Sequence, residues 1–571
     1  MDSQRLFLYM GLLFICLIIY QAWIVDYGPR PQPQVTTDAA GNTTTAEVTD
    51  QSQLNRLNAD AAATDLPAGN SDASSTTPTA TDATVSATPA ETDSQETRIS
   101  VKTDLVNATL SSVGGTILGV DLLDYPVSLE QPDTPFTLAS DTSQRFLVAQ
   151  SGFLALDEGV EAPTHKAEYK TEADTYEFGD GSDTIVVPMT WESGDGLRIT
   201  KNLTFTRGSY EIQIDYQVEN GSEKPWRVNQ YQQLQRKPVT SDETSRFLYT
   251  YIGGVVSTPE ERYEKVKFEK FAKDPLSISS DGGWVAMIQH YFAAAWIPEQ
   301  QERNNFYTKY VTNTNRYLIG MISGVKEVAP GSSASFSAKA YIGPKVQESL
   351  AKSAPHLELT VDYGWLHILA QPLFWLLKKI HSFIGNWGWS IILLTLLIKA
   401  AFYKLSKASY TSMARMKKLQ PKMQDLKERY GDDRTKMGQE TMALYKKEKV
   451  NPLGGCLPMI VQIPVFIALY WMLLESVELR QAPWIGWIKD LSIKDPLFIL
   501  PLIMGITMFI QQKLNPAPVD PIQAKVFMVL PVVFTAFFAF FPAGLVLYWC
   551  VNNTLSIAQQ YYITRHVIGV K

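Results

Sequence analysis

From Trp387 to Ile563 the chain is dominated by apolar runs about as long as a bilayer is thick, and no other feature restricts its fold so severely. In lipid a backbone must satisfy its own hydrogen bonds, so runs of this kind cross a membrane as helices. They divide at Trp387 to Tyr403, Leu453 to Leu474, Pro496 to Gln512, Ala524 to Phe541, and Ala543 to Ile563. Only Pro542 and its neighbours separate the last two, which predicts a tight helical hairpin. Lys399 interrupts the first run, in "WGWSIILLTLLIKAAFYKLSKA". A lysine near a bilayer centre costs roughly 2.5 to 3.5 kcal/mol on insertion scales, so it is functional unless it reaches the interface. Lys404 and Lys407 lie just beyond, so snorkelling stays open as an explanation.

The remainder of the 571 residues reads as four further parts. Leu6 to Val25 is apolar and long enough to span, and no small-x-small cleavage site follows, which predicts a transmembrane anchor over 1–27. Residues 28–97 are Thr, Ala, Ser, Pro and Asp with Arg56 almost the only basic residue, a composition that buries too little apolar surface to fold. A disordered acidic linker is expected there. Over 98–350 the period becomes two: Leu197, Ile199, Leu203 and Phe205, then, past Arg207-Gly208-Ser209, Tyr210, Ile212, Ile214, Tyr216 and Val218. That is a hairpin within one large antiparallel β-sandwich domain, and the tract contains no cysteine. The three cysteines, Cys16, Cys456 and Cys550, all sit in apolar runs and read as small hydrophobes, not metal ligands. Over 362–385, Leu366, Leu369, Leu373, Leu377, Ile380 and Ile384 form a helical stripe, while Pro372 and Lys378-Lys379 argue against a span. An amphipathic helix lying in the interface fits.

Orientation follows from the basic residues. The net charge of -7 averages an acidic first half and a basic segment after Tyr403. Eleven Lys and Arg between Arg415 and Lys449 place that loop in the cytoplasm, and counting spans outward places both termini inside and the β domain outside. Within 405–450, Met413, Met416, Leu419, Met423, Leu426 and Tyr430 recur at spacings of three and four, predicting a helical hairpin kinked at Pro421, with a Met-rich seam suited to docking proteins.

The blocks "KVNPLGGCLPMIVQIPVFIALYWML", "SVELRQAPW", "LPLIMGITMFIQQKLNP" and "FFPAGLVLYWCVNN", in this order around this topology, resemble the YidC membrane protein insertases of Gram-negative bacteria. The resemblance covers the whole chain and implies a multi-domain membrane protein: an amino-terminal anchor helix, a periplasmic all-β supersandwich, and a polytopic five-helix insertase core over 386–566. It implies no enzymatic activity and no cofactor or metal. It also implies a hydrophilic groove, open to cytoplasm and lipid, whose cation is Lys399 by motif position; relatives commonly carry Arg there. Thr395, Gln462, Tyr548 and Trp549 map onto the groove as substrate-binding residues, and Asn552 and Asn553 add polar content to the last span. Simpler readings stay open: Gln462 bonding a neighbouring helix, Tyr548 and Trp549 as packing aromatics. Implied partners are nascent inner-membrane proteins, membrane lipid, the Sec translocon with its accessory complex, and the ribosome; no specific nucleic acid is implied, and the implied location is the bacterial inner membrane.

Two rival functions come from other classes. A secondary transporter would also want a buried charge, but Glu475 and Glu478 lie only at a span end and no repeat is visible. A membrane-tethered carbohydrate-binding protein would place its site in the β domain, with His290 and Asp281 beside Trp284 as candidates.

Overall fold

The computed structural model describes residues 65–67, 96–142, 145–239, 250–430, 433–448, 450, 457–515 and 521–567. The anchor expected over 1–27 lies outside the described residues, as does nearly all of the linker expected over 28–97. Asp65, Leu66 and Pro67 are the exception, for they are held against the β domain, with Pro67 buried. Disorder is thus corrected at these three residues: an ion pair and backbone hydrogen bonds supply the ordering that the linker's apolar content cannot.

Alternating burial generates an eleven-stranded and a nine-stranded sheet. Leu197–Thr206 pairs antiparallel with Glu211–Asn220, Leu203 opposite Ile214 and Phe205 opposite Ile212, and Gly208 takes the left-handed φ of 70° that the turn between them requires. The expected hairpin is therefore present in register. Phe153 of the larger sheet packs edge-on against Tyr216 and Phe336 of the smaller one, at centroid separations of 4.8 and 4.9 Å, so one core lies between the two sheets. Two short helices, α1 (Phe268–Lys273) and α2 (Gln347–Ser353), complete this domain.

Helix α3 (His367–Ile384) turns Ala370, Phe374, Leu377 and Ile380 inward while Ile368, Trp375 and Phe383 stay exposed, so both its faces are apolar and its outer face suits lipid. There follow α4 (Trp387–Ala401), α5 (Tyr403–Lys418), α6 (Gln420–Tyr430), α7 (Arg434–Lys447), α8 (Leu457–Glu475), α9 (Ile499–Leu514), α10 (Pro521–Phe538) and α11 (Ala543–Tyr562). Helix α4 ends at Ala401, not Tyr403, and the chain bends by 68° into α5. Among the described residues no single helix is long and apolar enough to cross a membrane alone; only the bent pair α4 and α5 is, taken together. Pro421 makes a break and not a kink: α5 stops at Lys418, and Pro421 sits in the first turn of α6, where its missing N–H costs nothing. Leu419 is buried in the methionine seam, whereas Met413, Met416 and Met423 are only half-buried.

The β domain is joined to the helices by polar contacts. Lys345 and Glu475 form a buried ion pair at 3.1 Å, and Lys345 Nζ also donates to the Thr360 carbonyl. Arg480 Nη2 and Gln481 Nε2 donate to the Pro126 carbonyl at 2.7 and 2.9 Å. His290 Nε2 donates to the Leu474 carbonyl at 2.9 Å, and burial holds this imidazole down to about 3, hence neutral. Trp284 Nε1 donates to the Pro355 carbonyl. The ring nitrogens considered for a sugar site thus serve the architecture.

Candidate functional site

Helices α4, α8, α9 and α11 converge on a polar stripe. Its spine is α11, where Tyr548, Asn552, Ser556 and Gln560 recur every four residues and therefore share one face over about 18 Å. Small residues open this helix: Gly544 lies so close to Leu491 that a Cβ there would be 3.2 Å from its carbonyl oxygen. That close approach keeps the outer end of α11 tightly packed and leaves polar side chains to the other end.

Lys399 is buried near the carboxyl end of α4, which stops at Ala401, and its Nζ donates to Ser556 Oγ at 2.8 Å. Ser556 in turn donates its own proton to the Asn552 carbonyl, so its oxygen is left to accept. Gln462 Nε2 donates to Asn552 Oδ1 at 2.8 Å. A chain of hydrogen bonds therefore runs from α8 across α11 to the cation on α4. Among the described residues Lys399 makes no ion pair, so a full charge with three donors faces a single neutral oxygen.

The other implied residues divide. Thr395 lies one turn before Lys399 and is buried, but its hydroxyl donates to the Ile391 carbonyl of its own helix, leaving only lone pairs to a guest. Tyr548 is buried, stacked on Phe466 at 5.9 Å and in hydrogen-bonding contact with Gln462. Trp549 packs in an aromatic cluster with Phe466, Phe534 and Phe538. The structure brings Lys399, Gln462 and Tyr548 to one network and gives Trp549 packing partners instead.

Sequence reasoning named Asn552 and Asn553 but missed Ser556, Gln560 and the partners Thr507, Gln511 and Asn515. Gln511 Nε2 donates to Gln560 Oε1, Gln560 Nε2 to Asn515 Oδ1 at 3.2 Å, and Asn553 Nδ2 to Thr507 Oγ1 at 3.4 Å. Gln511 Oε1 and Gln559 Oε1 are buried without a partner among the described residues, which is costly in a dry interior. The four-residue spacing from Tyr548 through Gln560 was the available signal. Among the described residues the arrangement belongs to no group of metal ligands; it offers donors, acceptors and one charge along a helical face.

Comparisons with known proteins agree over the whole length. Residues 98–376 match the family described as the YidC periplasmic domain, and residues 379–569 that described as 60Kd inner membrane protein. A membrane protein insertase YidC of Thioalkalivibrio sulfidiphilus is 49% identical over 575 residues, covering 99% of both chains. Its counterpart from Methylococcus capsulatus is 49% identical over 568 residues with the same coverage. A solved structure described as an active YidC insertase with its first transmembrane domain resolved is 19% identical, with a TM-score of 0.36, covering 82% of this chain and 93% of its own.

Proposed function

Since the chain belongs to the YidC family of membrane protein insertases, we propose that the stripe centred on Lys399 is the surface over which the polar part of a client crosses the bilayer. The protein is an inner-membrane insertase with a periplasmic domain, and not an enzyme. Its substrates are membrane proteins. The observation that carries the groove reading is the cation itself: Lys399 is 5% exposed and bonded only to a hydroxyl among the described residues.

Energetics make an external fuel unnecessary for the reading. A client helix of about 20 apolar residues at roughly -0.3 to -0.6 kcal/mol each gains about 6 to 12 kcal/mol on entering lipid. The insertase need only lower the barrier for the flank that crosses. Amide, hydroxyl and ammonium groups on α4, α8, α9 and α11 replace water along part of the path, and the 15 residues of α4 span only about 22 Å of a ~30 Å core. The charge favours acidic flanks, so single-span clients with short acidic extracytoplasmic tails are the preferred substrates.

The basic helices α5 to α7 lie in the cytoplasm in this reading, with both termini, and the half-buried methionine seam is the surface for the ribosome and for the Sec translocon with its accessory complex. Lys399→Ala and Lys399→Glu should abolish protease-protected insertion of an acidic-tailed single-span client into proteoliposomes, while Lys399→Arg retains most of it. Full activity of Lys399→Ala would sink the groove model.

A further inference from the structure

On the larger sheet, strand Trp226–Arg236 directs Asn229, Tyr231, Gln233 and Gln235 to one face, all buried. Asp65, Leu66 and Pro67 of the linker are seated there. The Asp65 carboxylate lies 3.2 Å from His165 Nε2 and 2.6 Å from Lys166 Nζ. Gln233 Nε2 donates to the Asp65 carbonyl at 3.0 Å, and Lys309 Nζ to the Leu66 carbonyl at 3.1 Å. Burial alone would push the Asp65 carboxyl up, but His165 and Lys166 outweigh it and hold the group well below the usual carboxylate range.

The recognising groups are themselves held in place. Tyr231 Oη accepts from the His165 backbone N–H at 2.8 Å and lies 2.7 Å from His165 Nδ1, which leaves Nε2–H to face the carboxylate. Gln233 Oε1 accepts from Tyr307 Oη at 2.7 Å, and its Nε2 also donates to Gln150 Oε1, so its amide has one orientation. Further along, Gln235 Nε2 and Arg316 Nε are buried without a hydrogen-bond partner among the described residues, although Arg316 lies close enough to feel the Asp65 charge. Donors prepared for backbone carbonyls and a carboxylate, continuing past the three residues they now hold, describe a peptide site.

We propose that this face of the β domain binds extended acidic peptide segments, reading a carboxylate followed by an apolar residue and proline, and that Asp65-Leu66-Pro67 is a resident occupant that masks it. A tethered occupant acts at an effective concentration in the millimolar range, so a peptide of equal intrinsic affinity competes poorly until the tether is removed. In an insertase the natural competitors are acidic client segments emerging on the same side; that last clause alone rests on the insertase reading.

The test uses the full-length protein in detergent micelles and a fluorescein-labelled synthetic peptide of residues 62–69, AATDLPAG. Anisotropy should report binding at least tenfold tighter to a protein carrying Asp65→Ala, Leu66→Ala and Pro67→Ala than to the unmodified chain. Adding Lys166→Ala and Lys309→Ala to that variant should abolish the gain, as should Asp-to-Asn in the peptide. Lys166 is 57% exposed at its side chain, so its loss spares the core, and an unchanged thermal unfolding midpoint confirms this for the combined variant. Absence of binding to the vacated protein, or binding indifferent to the lysines and the peptide carboxylate, overturns the proposal. Neither outcome depends on insertion activity, so failure of the Lys399 groove would be seen separately.

Discussion

Lys201 lies in the middle of the β domain, 1% exposed, its Nζ donating to the carbonyls of Gly114 and Gly115 at 2.8 and 2.9 Å and to Ser151 Oγ at 3.1 Å. Burial pushes its ammonium down to about 7. Because the folded value is the lower one, the unfolded chain binds more protons between there and the ordinary lysine value of about 10.5. Stability from this group is complete only above that value and is lost as pH falls through 7. Thermal unfolding of the β domain should therefore rise in midpoint from pH 7 to pH 9.5, and Lys201→Met should flatten the slope. Lys399 and Lys201 were not equally open to reading from sequence. Lys399 stands out because it interrupts leucines, whereas Lys201 occupies the inward register between Ile199 and Leu203, where an alternating pattern reads past it. Thr395 illustrates the limit: spacing placed it on the Lys399 face, but the bond to Ile391 that occupies its hydroxyl depends on a rotamer.

Helix α4 shows what sets an element's ends. Asn386 Oδ1 accepts from the Trp389 N–H as an N-cap, and its Nδ2 donates to the carbonyls of Pro483 and Trp484, tying the helix to the outer loop. Gly388 then permits contact: a Cβ there would sit 2.2 Å from Trp484 Cδ1 and 2.7 Å from its Cβ, too near the backbone to swing away. Gly388→Ala should cost about 1 to 3 kcal/mol by overpacking, read as a lower unfolding midpoint and a changed near-ultraviolet signal from Trp389 and Trp484. Apolar length made the helices recognisable, and period two made the hairpin recognisable. Their ends were not, because the stop at Ala401 and the break at Leu419 come from tertiary packing and from where Pro421 is accommodated.

At the scale of the whole molecule, the β domain and the helices meet through groups that are strong only as pairs. Removing one partner of Lys345 and Glu475 leaves a buried charge, so Glu475→Gln should destabilise by roughly 3 to 5 kcal/mol, while Lys345→Met with Glu475→Leu should recover most of it. Denaturant unfolding in micelles of the two variants checks this. Neither this pair nor the seating of Asp65 was legible beforehand, since each joins residues a hundred or more positions apart and no local pattern announces a partner. The bend after α4 has a consequence of another kind. Lys399 is about 18 Å of helix from Trp387 but only about 4.5 Å from Phe402, where the chain turns away. If α5 lies on the cytoplasmic side, as proposed, the Lys399 ammonium sits near the inner end of the transmembrane voltage drop. An acidic client group paired there has yet to traverse most of the field, and its onward movement to the positive side gains up to about 2.3 kcal/mol per charge per 100 mV. Capture at Lys399 should then be indifferent to an uncoupler, whereas departure toward the periplasm should slow in its presence, a difference that time-resolved crosslinking of a stalled client from position 399 would read directly.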